Sequence, residues 1–278
     1  MKDAIYQYII KLCLITWSLI FKGCIAQINS KETDEMKIIQ TNNYEEMSRK
    51  AFEVIKRVFM ENEAPVINTT TGASYDRLFE LWVDGINSGE LNMDQTIMTN
   101  LDEYIADRDK TFTVFTYMME KFYNLINTQP KVAELLDGSK EDLQAEIDRY
   151  NKVLEEYPRD LQIVGLGVNG HLAANEPGTP FQSRLFLADS DESTIQSTMG
   201  YQNLSRDEAP TQMLTLGLAD IMEAKEVLLV ASGERKAEAV KATIEGPINE
   251  QCPASILRAH PNAIFIIDSA AASLLEKR

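Results

Sequence analysis

The sequence contains few of the residues that form disulfides or bind metals. Of 278 residues only three are cysteines, and Cys13 and Cys24 both lie near the N-terminus. The rest of the chain keeps one thiol, Cys252, which excludes a disulfide framework and a cysteine-based zinc site. Histidine is equally scarce, with His171 and His260 as the only two. Any histidine chemistry therefore depends on one of these two positions.

Positive charge is also in short supply. The chain has 43 acidic residues against 27 Lys and Arg, and its formal net charge is −16. A protein this acidic lacks the general attraction to phosphate backbones and anionic lipids, so nucleic acids and membrane surfaces are not expected as partners. Any anionic ligand must be held by local groups. The length and a hydrophobic content of 44% suffice for one large α/β domain or two small ones.

The first 35 residues differ in character from the rest. Lysines precede an uncharged apolar run, Leu12–Phe21, and a small residue, Ala26, follows it. This order is typical of a signal peptide cleaved near Ala26, and the run is too short for a comfortable membrane span. The alternative is a misplaced start, because Met36 opens a predicted strand. The sequence therefore predicts a leader over residues 1–35 and one domain over residues 36–278.

From Met36 on, short apolar runs alternate with amphipathic helical stretches. Six runs are predicted as strands: Lys37–Gln40, Pro65–Thr69, Gln95–Asn100, Asp160–Gly165, Glu226–Ala231 and Ala263–Ile267. Five helices are predicted between them: Tyr44–Met60, Tyr75–Asn87, Phe112–Ile126, Lys140–Glu155 and Glu234–Ile244. Near-continuous Val, Ile and Leu in several strands indicate burial on both faces. We expect an α/β fold, a doubly wound, mostly parallel sheet with helices on both faces, in a single domain.

The most informative polar segment is Gly165–Gly178, which follows the fourth predicted strand. Ligands of open parallel sheets bind beyond the carboxyl ends of the strands, and this segment places His171 there among four glycines. A histidine exchanges a proton near neutral pH, and Asn169 or Glu176 can fix its tautomer. The alternative is a core histidine bonded to a backbone carbonyl. That structural role is the one we expect for His260, which lacks such neighbours.

Three further clusters follow predicted strands. Thr69–Ser74 has small residues before a helix, which suits an anion but also an ordinary helix cap. Asp102 can transfer a proton on carbon, and its neighbour Glu103 should face the other way because the chain is extended there. The alternative is a pair of acidic caps. Lys236 begins a helix and is a candidate anion clamp, or else a solvated lysine.

These motifs together resemble a known family. The segment Leu161–Pro177 contains Gly-Leu-Gly, Asn-Gly-His and Asn-Glu-Pro, and it is similar to the signature of the glucosamine-6-phosphate deaminase family, also called isomerase. That family shares a superfamily with galactosamine-6-phosphate isomerases and 6-phosphogluconolactonases. Other matching motifs occur in the same order: Thr71–Ser74, Asn100–Tyr104, Leu214–Gly217, Gly233–Lys236 and Cys252–Leu257. The resemblance covers about Met36–Ile267.

The resemblance implies an enzyme that opens an amino-sugar phosphate ring, isomerises the aldose to a ketose and releases ammonia to give fructose 6-phosphate. Asp102 matches the base that moves a proton between C2 and C1. His171 matches the acid and base of ring opening, with Asn169 and Glu176 completing its relay. No metal or organic cofactor is implied, because the carbonyl formed on ring opening is the electron sink.

The resemblance also implies how the phosphate is held and where the enzyme works. Lys236 matches a phosphate ligand, and the turn formed by Thr71, Gly72, Ala73 and Ser74 matches the phosphate cradle. The expected partner is a small sugar phosphate, and a homo-oligomer is compatible with the family. Such substrates favour a cytoplasmic location, whereas the leader favours export through a signal peptide ending near Ala26.

The chain departs from the family pattern at the relay and at the phosphate. Position 169 is Asn where many members have Asp, and an amide orients His171 without stabilising its charged form. Many members place an Arg on the phosphate after the Asn-Glu-Pro motif, but residues 197–203 contain no basic residue. Arg184 and Arg206 flank this stretch and are candidate replacements.

The chain also departs from the family pattern at an allosteric site, and three alternative functions are compatible with some of its motifs. The basic residues of an allosteric sugar-phosphate site in some hexameric members fall on Phe186 and Ala188, so we expect no such site. A galactosamine-6-phosphate deaminase would share both main motifs. A 6-phosphogluconolactonase usually lacks the Asn-Glu-Pro continuation, so Glu176 argues against it. A sugar-phosphate sensor without catalysis would explain the missing Arg and the leader.

Overall fold

Seven parallel strands form the central sheet of the computed structural model, which describes residues 37–276. The ten strands are β1 Lys37–Thr41, β2 Val66–Thr69, β3 Ile97–Asn100, β4 Asp102–Tyr104, β5 Val132–Glu134, β6 Leu161–Gly165, β7 Phe186–Asp189, β8 Gln212–Thr215, β9 Glu226–Ala231 and β10 Ala263–Asp268. The central sheet has the order β1-β10-β9-β6-β2-β3-β5, and a second, antiparallel sheet has the order β4-β8-β7. The predicted leader lies outside the described residues.

Within residues 37–276, seven α-helices connect the strands. They are α1 Tyr44–Glu61, α2 Asp76–Asn87, α3 Val114–Met118, α4 Leu143–Glu156, α5 Glu192–Gln202, α6 Leu218–Met222 and α7 Ala237–Glu245. A π-helical turn, Met119–Tyr123, extends α3, and 3-10 turns occupy Glu234–Lys236 and Pro253–Ala259. In residues 37–276 no helix is long and apolar enough to cross a membrane.

Both faces of the central strands are buried. Their sequences therefore lack the alternation of apolar and polar residues that a half-exposed strand shows. Ile163, Val230 and Ile266 belong to the cluster that packs under α1 and α2. Val164 and Leu229 point to the other face because successive side chains of a strand alternate, and both are buried as well. The predicted fold class, a doubly wound and mostly parallel sheet in an α/β domain, is confirmed.

All six predicted strands and all five predicted helices exist; β9 has the predicted boundaries and the others are shifted. The predicted helix 112–126 begins at Val114 because the Thr113 hydroxyl accepts the Thr116 N–H at 3.1 Å and caps it. The helix predicted from Lys140 begins at Leu143 for the same reason, since Asp142 accepts the Ala145 N–H at 2.9 Å. Local capping residues therefore set both starts.

The antiparallel sheet, strand β5 and helices α5 and α6 were not predicted. Strand β4 has three residues and pairs Asp102 with Thr215 of β8, which in turn lies opposite Phe186 of β7. Strands this short give no clear alternation of apolar and polar residues. They matter because β4 carries one of the predicted catalytic residues, and α5 covers the cavity described next.

Candidate active site

The four predicted clusters meet in one cavity of about 450 Å³ at the carboxyl ends of β2, β6 and β9. The predicted residues that line it are Thr71, Gly72, Ala73, Ser74, Asp102, His171 and Lys236. Asn169 and Glu176 are not part of the lining and lie behind His171, to which they are linked by hydrogen bonds. The sequence therefore identified residues of the cavity wall from the ends of four predicted strands.

Asp102 is a buried carboxyl group in the wall of the cavity. It is 7% exposed, and the Asn100 side chain fixes its backbone by donating to the Asp102 carbonyl at 2.7 Å. Burial raises the pKa of Asp102 to about 7. A carboxyl group with this pKa accepts and returns a proton near neutral pH, which is the property that proton transfer on carbon requires.

Glu103 faces away from the cavity, as the alternation of an extended chain predicts. Its carboxylate accepts the backbone N–H groups of Val114 at 2.9 Å and Phe115 at 2.8 Å, at the start of α3. These bonds satisfy donors that a helix N-terminus leaves free. The two adjacent carboxyl groups therefore have separate positions, one toward the cavity and one capping a helix.

His171 is held by a relay of polar groups. Its Nδ1 lies 3.3 Å from Glu176 Oε2 and 3.3 Å from Thr194 Oγ1. Asn169 Nδ2 donates to Glu176 Oε2 at 2.8 Å, and Thr194 Oγ1 donates to Glu176 Oε1 at 2.6 Å. Burial alone would raise the pKa of Glu176, but hydrogen bonds from His171, Thr194 and Asn169 outweigh it and lower that pKa to about 2.

The relay fixes the tautomer of His171. Because Glu176 stays ionised, it accepts a hydrogen bond from Nδ1, and Nδ1 therefore carries the hydrogen. Nε2 is left to exchange a proton with a ligand. The loop also needs Gly167, because a Cβ at that position would lie 2.4 Å from atoms of the His171 ring. The glycines of this segment thus let the backbone lie against the imidazole.

The residues predicted to bind the phosphate, a turn and a lysine, also line the cavity. The turn Thr71–Ser74 precedes α2, and it requires Gly72 because φ is +120° there. Tyr44 donates its hydroxyl hydrogen to the Ala73 carbonyl at 3.0 Å and ties the turn to α1. Burial, together with the charge of Arg235, lowers the pKa of Lys236 to about 8. Lys236 remains mostly protonated at neutral pH and supplies positive charge in the cavity.

Arg184 and Arg206 do not take the place of the missing arginine. Neither is among the residues that line the cavity. Arg184 pairs with Asp220 at 3.0 Å and with Glu223 at 2.5 Å, and Arg206 pairs with Glu192 at 3.2 Å. Neither candidate replacement therefore reaches the cavity, because carboxylates hold both guanidinium groups elsewhere.

Sequence reasoning missed three residues of the site. Thr194 of α5 bonds to the relay, Tyr75 lines the cavity after the predicted turn, and Arg235 lines it beside Lys236. Tyr75 and Arg235 had a signal in the sequence because each is adjacent to a singled-out residue, Ser74 or Lys236. Thr194 had none. His260 has the structural role that we expected, with Nε2 bonded to the Ala224 carbonyl at 2.9 Å.

Comparison with known proteins agrees with the motifs. The model of the family described as glucosamine-6-phosphate isomerases/6-phosphogluconolactonase matches residues 40–266. A glucosamine-6-phosphate deaminase of Lactobacillus delbrueckii subsp. bulgaricus is 41% identical over 242 residues, which cover 87% of this chain and 100% of that protein. One of Streptococcus pneumoniae is 38% identical over 243 residues, with the same coverage of 87% and 100%.

Solved structures extend the comparison to the fold. A structure described as a monomeric glucosamine-6-phosphate deaminase has a TM-score of 0.82 and 33% identity, covering 86% of this chain and 100% of its own. The 6-phosphogluconolactonase of Trypanosoma brucei has a TM-score of 0.71 at 17% identity, covering 87% and 99%, and this likeness concerns the fold alone. The chain belongs to the glucosamine-6-phosphate isomerase/6-phosphogluconolactonase family.

Proposed function

We propose that this protein is a glucosamine-6-phosphate deaminase, which converts glucosamine 6-phosphate and water to fructose 6-phosphate and ammonia. The observation that carries the proposal is a buried carboxyl group, Asp102, in the same cavity as the relayed His171. Relatives at 38–41% identity with this name support the same reaction. Two separate proton-transfer groups suit a reaction in which one step acts on oxygen and the other on carbon.

The first step is ring opening at His171. The imidazole takes the proton of the C1 hydroxyl through Nε2 and returns a proton to the ring oxygen, so the C1–O5 bond breaks and a C1 aldehyde forms. Ionised Glu176 stabilises the imidazolium that exists between these two transfers. Asn169 holds Glu176 in place by its 2.8 Å bond but adds no charge of its own.

The second step is isomerisation at Asp102. Its carboxylate removes the proton from C2, the aldehyde oxygen takes a proton from the substrate's own C2 ammonium group, and a neutral enolamine forms between C1 and C2. The protonated carboxyl group then delivers its proton to C1, which leaves an iminium group at C2. Water adds to C2 and ammonia departs, which gives the ketose. A positioned acid or base of this kind contributes roughly 10²- to 10⁴-fold in rate.

The phosphate is assigned to the turn and the lysine that line the same cavity. Lys236 provides an ammonium group, and the Thr71–Ser74 turn provides small residues at the start of α2, where backbone N–H groups favour an anion. Local attraction of this kind is needed because the whole chain repels a dianion. The assignment of these residues to the phosphate follows the family pattern and their shared position.

We also propose that the enzyme has no allosteric sugar-phosphate site and acts in the cytoplasm. Phe186 packs against the small apolar cluster that contains buried Ala188, so neither position offers a cation. The rate should therefore depend hyperbolically on substrate concentration. Sedimentation measures whether the chain forms the homo-oligomer that the family allows.

N-terminal sequencing of the native protein tests the proposed cytoplasmic location, since a first residue at position 27 would mean export.

A substrate panel tests the proposed function directly. Purified protein is incubated with glucosamine 6-phosphate, galactosamine 6-phosphate or 6-phosphogluconolactone, and ammonia, ketose phosphate and lactone hydrolysis are measured. We expect ammonia and fructose 6-phosphate in equal amounts from the first compound and a lower kcat/KM with its C4 epimer. Preference for the epimer or the lactone would name a different enzyme, and binding without turnover would support a sensor.

A further inference from the structure

The cavity contains a second cation that the mechanism has not used. Arg235 lies in the 3-10 turn Glu234–Lys236, immediately before Lys236, and both residues line the cavity. Arg235 is exposed, whereas Lys236 is partly buried. The guanidinium group thus lies at the mouth of the cavity, beside the ammonium group that already faces it.

Arg235 differs from the other arginines of the described residues in having no partner. Seven of them pair with a carboxylate: Arg49, Arg57, Arg77, Arg108, Arg149, Arg184 and Arg206. Two more donate to a backbone carbonyl, Arg159 to Asp220 and Arg258 to Gly246. In a chain with 16 more negative than positive charges, a described arginine with neither a carboxylate nor a carbonyl partner, at the mouth of a cavity, points to an external anion.

The turn that presents Arg235 is held in a defined conformation. Asp268, at the end of β10, accepts the Ser232 hydroxyl at 2.5 Å and the Gly233 N–H at 3.1 Å. Gly233 has φ of +91°, a conformation that favours glycine. These bonds fix the start of the turn, and therefore the direction in which Arg235 and Lys236 leave β9.

We propose that Arg235 binds the substrate phosphate together with Lys236 and replaces the arginine that many family members place after the Asn-Glu-Pro motif. The inference rests on the proposed function for the identity of the phosphorylated ligand. That arginine is expected on helix α5. There the cavity is lined by Ser197, Thr198 and Gln202, which carry no charge. A planar guanidinium group gives two parallel bonds to a phosphate, which an ammonium group does not.

The interaction between the two cations supports this assignment. Burial and the charge of Arg235 together lower the pKa of Lys236 to about 8. A dianion between the two groups would relieve their repulsion, so binding should raise this pKa. Phosphate binding near pH 8 should therefore be accompanied by proton uptake, and less uptake is expected when Arg235 is neutralised.

The test compares Arg235→Met and Arg235→Lys with the control Arg206→Met, which removes a surface arginine outside the cavity. The KM for glucosamine 6-phosphate and the inhibition constant of inorganic phosphate are measured at two ionic strengths. We expect Arg235→Met to raise both constants about tenfold or more, the size of a lost charge-assisted bond, with a smaller change in kcat. Both constants of Arg235→Lys should lie between those of the wild type and Arg235→Met. Both constants of Arg206→Met should equal those of the wild type. Circular dichroism establishes that each variant is folded.

The outcomes separate this inference from the proposed function. If the wild type releases ammonia but Arg235→Met keeps both constants within twofold of the wild type, the inference is wrong and the deaminase stands. If the wild type releases no ammonia, calorimetry with inorganic phosphate still tests the phosphate site. Weaker phosphate binding by Arg235→Met, but not by Arg206→Met, then supports the site without the deaminase.

Discussion

Two adjacent residues, Asp102 and Glu103, acquire different roles because an extended chain turns their side chains in opposite directions. Glu103 meets the N–H groups of α3, whereas Asp102 is buried in the cavity wall and has a raised pKa. Their separation was predictable from the pleat of a strand. The contact of Thr194 with the relay was not, because it depends on α5 folding over the cavity rather than on any local pattern.

Burial of the Asp102 carboxyl group should lower the stability of the folded protein and make that stability depend on pH. The folded-state pKa is raised from 3.8 to about 7. Between these values the folded protein binds more protons than the unfolded chain, so its stability falls as pH rises through this window. An ionised Asp102 costs the folded state on the order of 4 kcal/mol above pH 7.

Asp102→Asn should therefore raise the thermal midpoint by several degrees at pH 8 and leave it nearly unchanged at pH 3.5. Scanning calorimetry of both proteins at the two pH values measures this difference. Asp84→Asn, a surface substitution on α2, serves as the control and should have little effect at either pH. An equal midpoint for wild type and Asp102→Asn at pH 8 would contradict the burial of an ionised carboxyl group.

The relay predicts that removal of the Glu176 charge lowers the rate of ammonia release. Glu176→Gln removes the negative charge that stabilises the imidazolium of His171, so we expect kcat to fall by roughly 10- to 100-fold with a small change in KM. The matched control is Glu192→Gln, which removes only an exposed partner of Arg206. Steady-state kinetics of ammonia release measure both. A wild-type kcat in Glu176→Gln would show that the carboxylate has no part in ring opening.

At the scale of elements, the long buried strands were predictable and the short ones were not. β9 and β10 are buried at every position, so their apolar runs stand out from the sequence. β4 consists of two acidic residues and a tyrosine, Asp102–Tyr104, and is a strand because β8 pairs with it. Its pairing depends on a tertiary contact, and the same contact delivers Asp102 to the cavity.

The cap of α3 should matter for stability more than for chemistry. Burial raises the pKa of Glu103 to about 7. At pH 4, where this carboxyl group is neutral, Glu103→Gln should lower the free energy of unfolding by about 1 to 3 kcal/mol, because an amide NH2 group does not accept a backbone N–H at the start of α3. Urea denaturation measures this loss, with exposed Glu238→Gln on α7 as the control. The KM for glucosamine 6-phosphate should stay near that of the wild type. A variant as stable as the control would mean that the cap contributes little.

For the whole molecule, the excess of negative charge and the charge of the cavity oppose one another. A net charge of −16 repels a dianionic sugar phosphate, whereas Lys236 and Arg235 concentrate positive charge at one end of the parallel sheet. The sheet itself was predictable from apolar runs and helical periodicity. The position of Arg235 at the mouth of the cavity was not, because neither composition nor spacing shows which cations remain unpaired.

The rate of ammonia release from glucosamine 6-phosphate by the wild type and Asp102→Asn tests the central claim most directly. We expect the wild type to form ammonia and fructose 6-phosphate in equal amounts. Asp102→Asn should bind the substrate nearly as well but turn it over at least 10²-fold more slowly, because an amide does not remove the C2 proton. No ammonia from the wild type, or a near-normal kcat in Asp102→Asn, would contradict the claim.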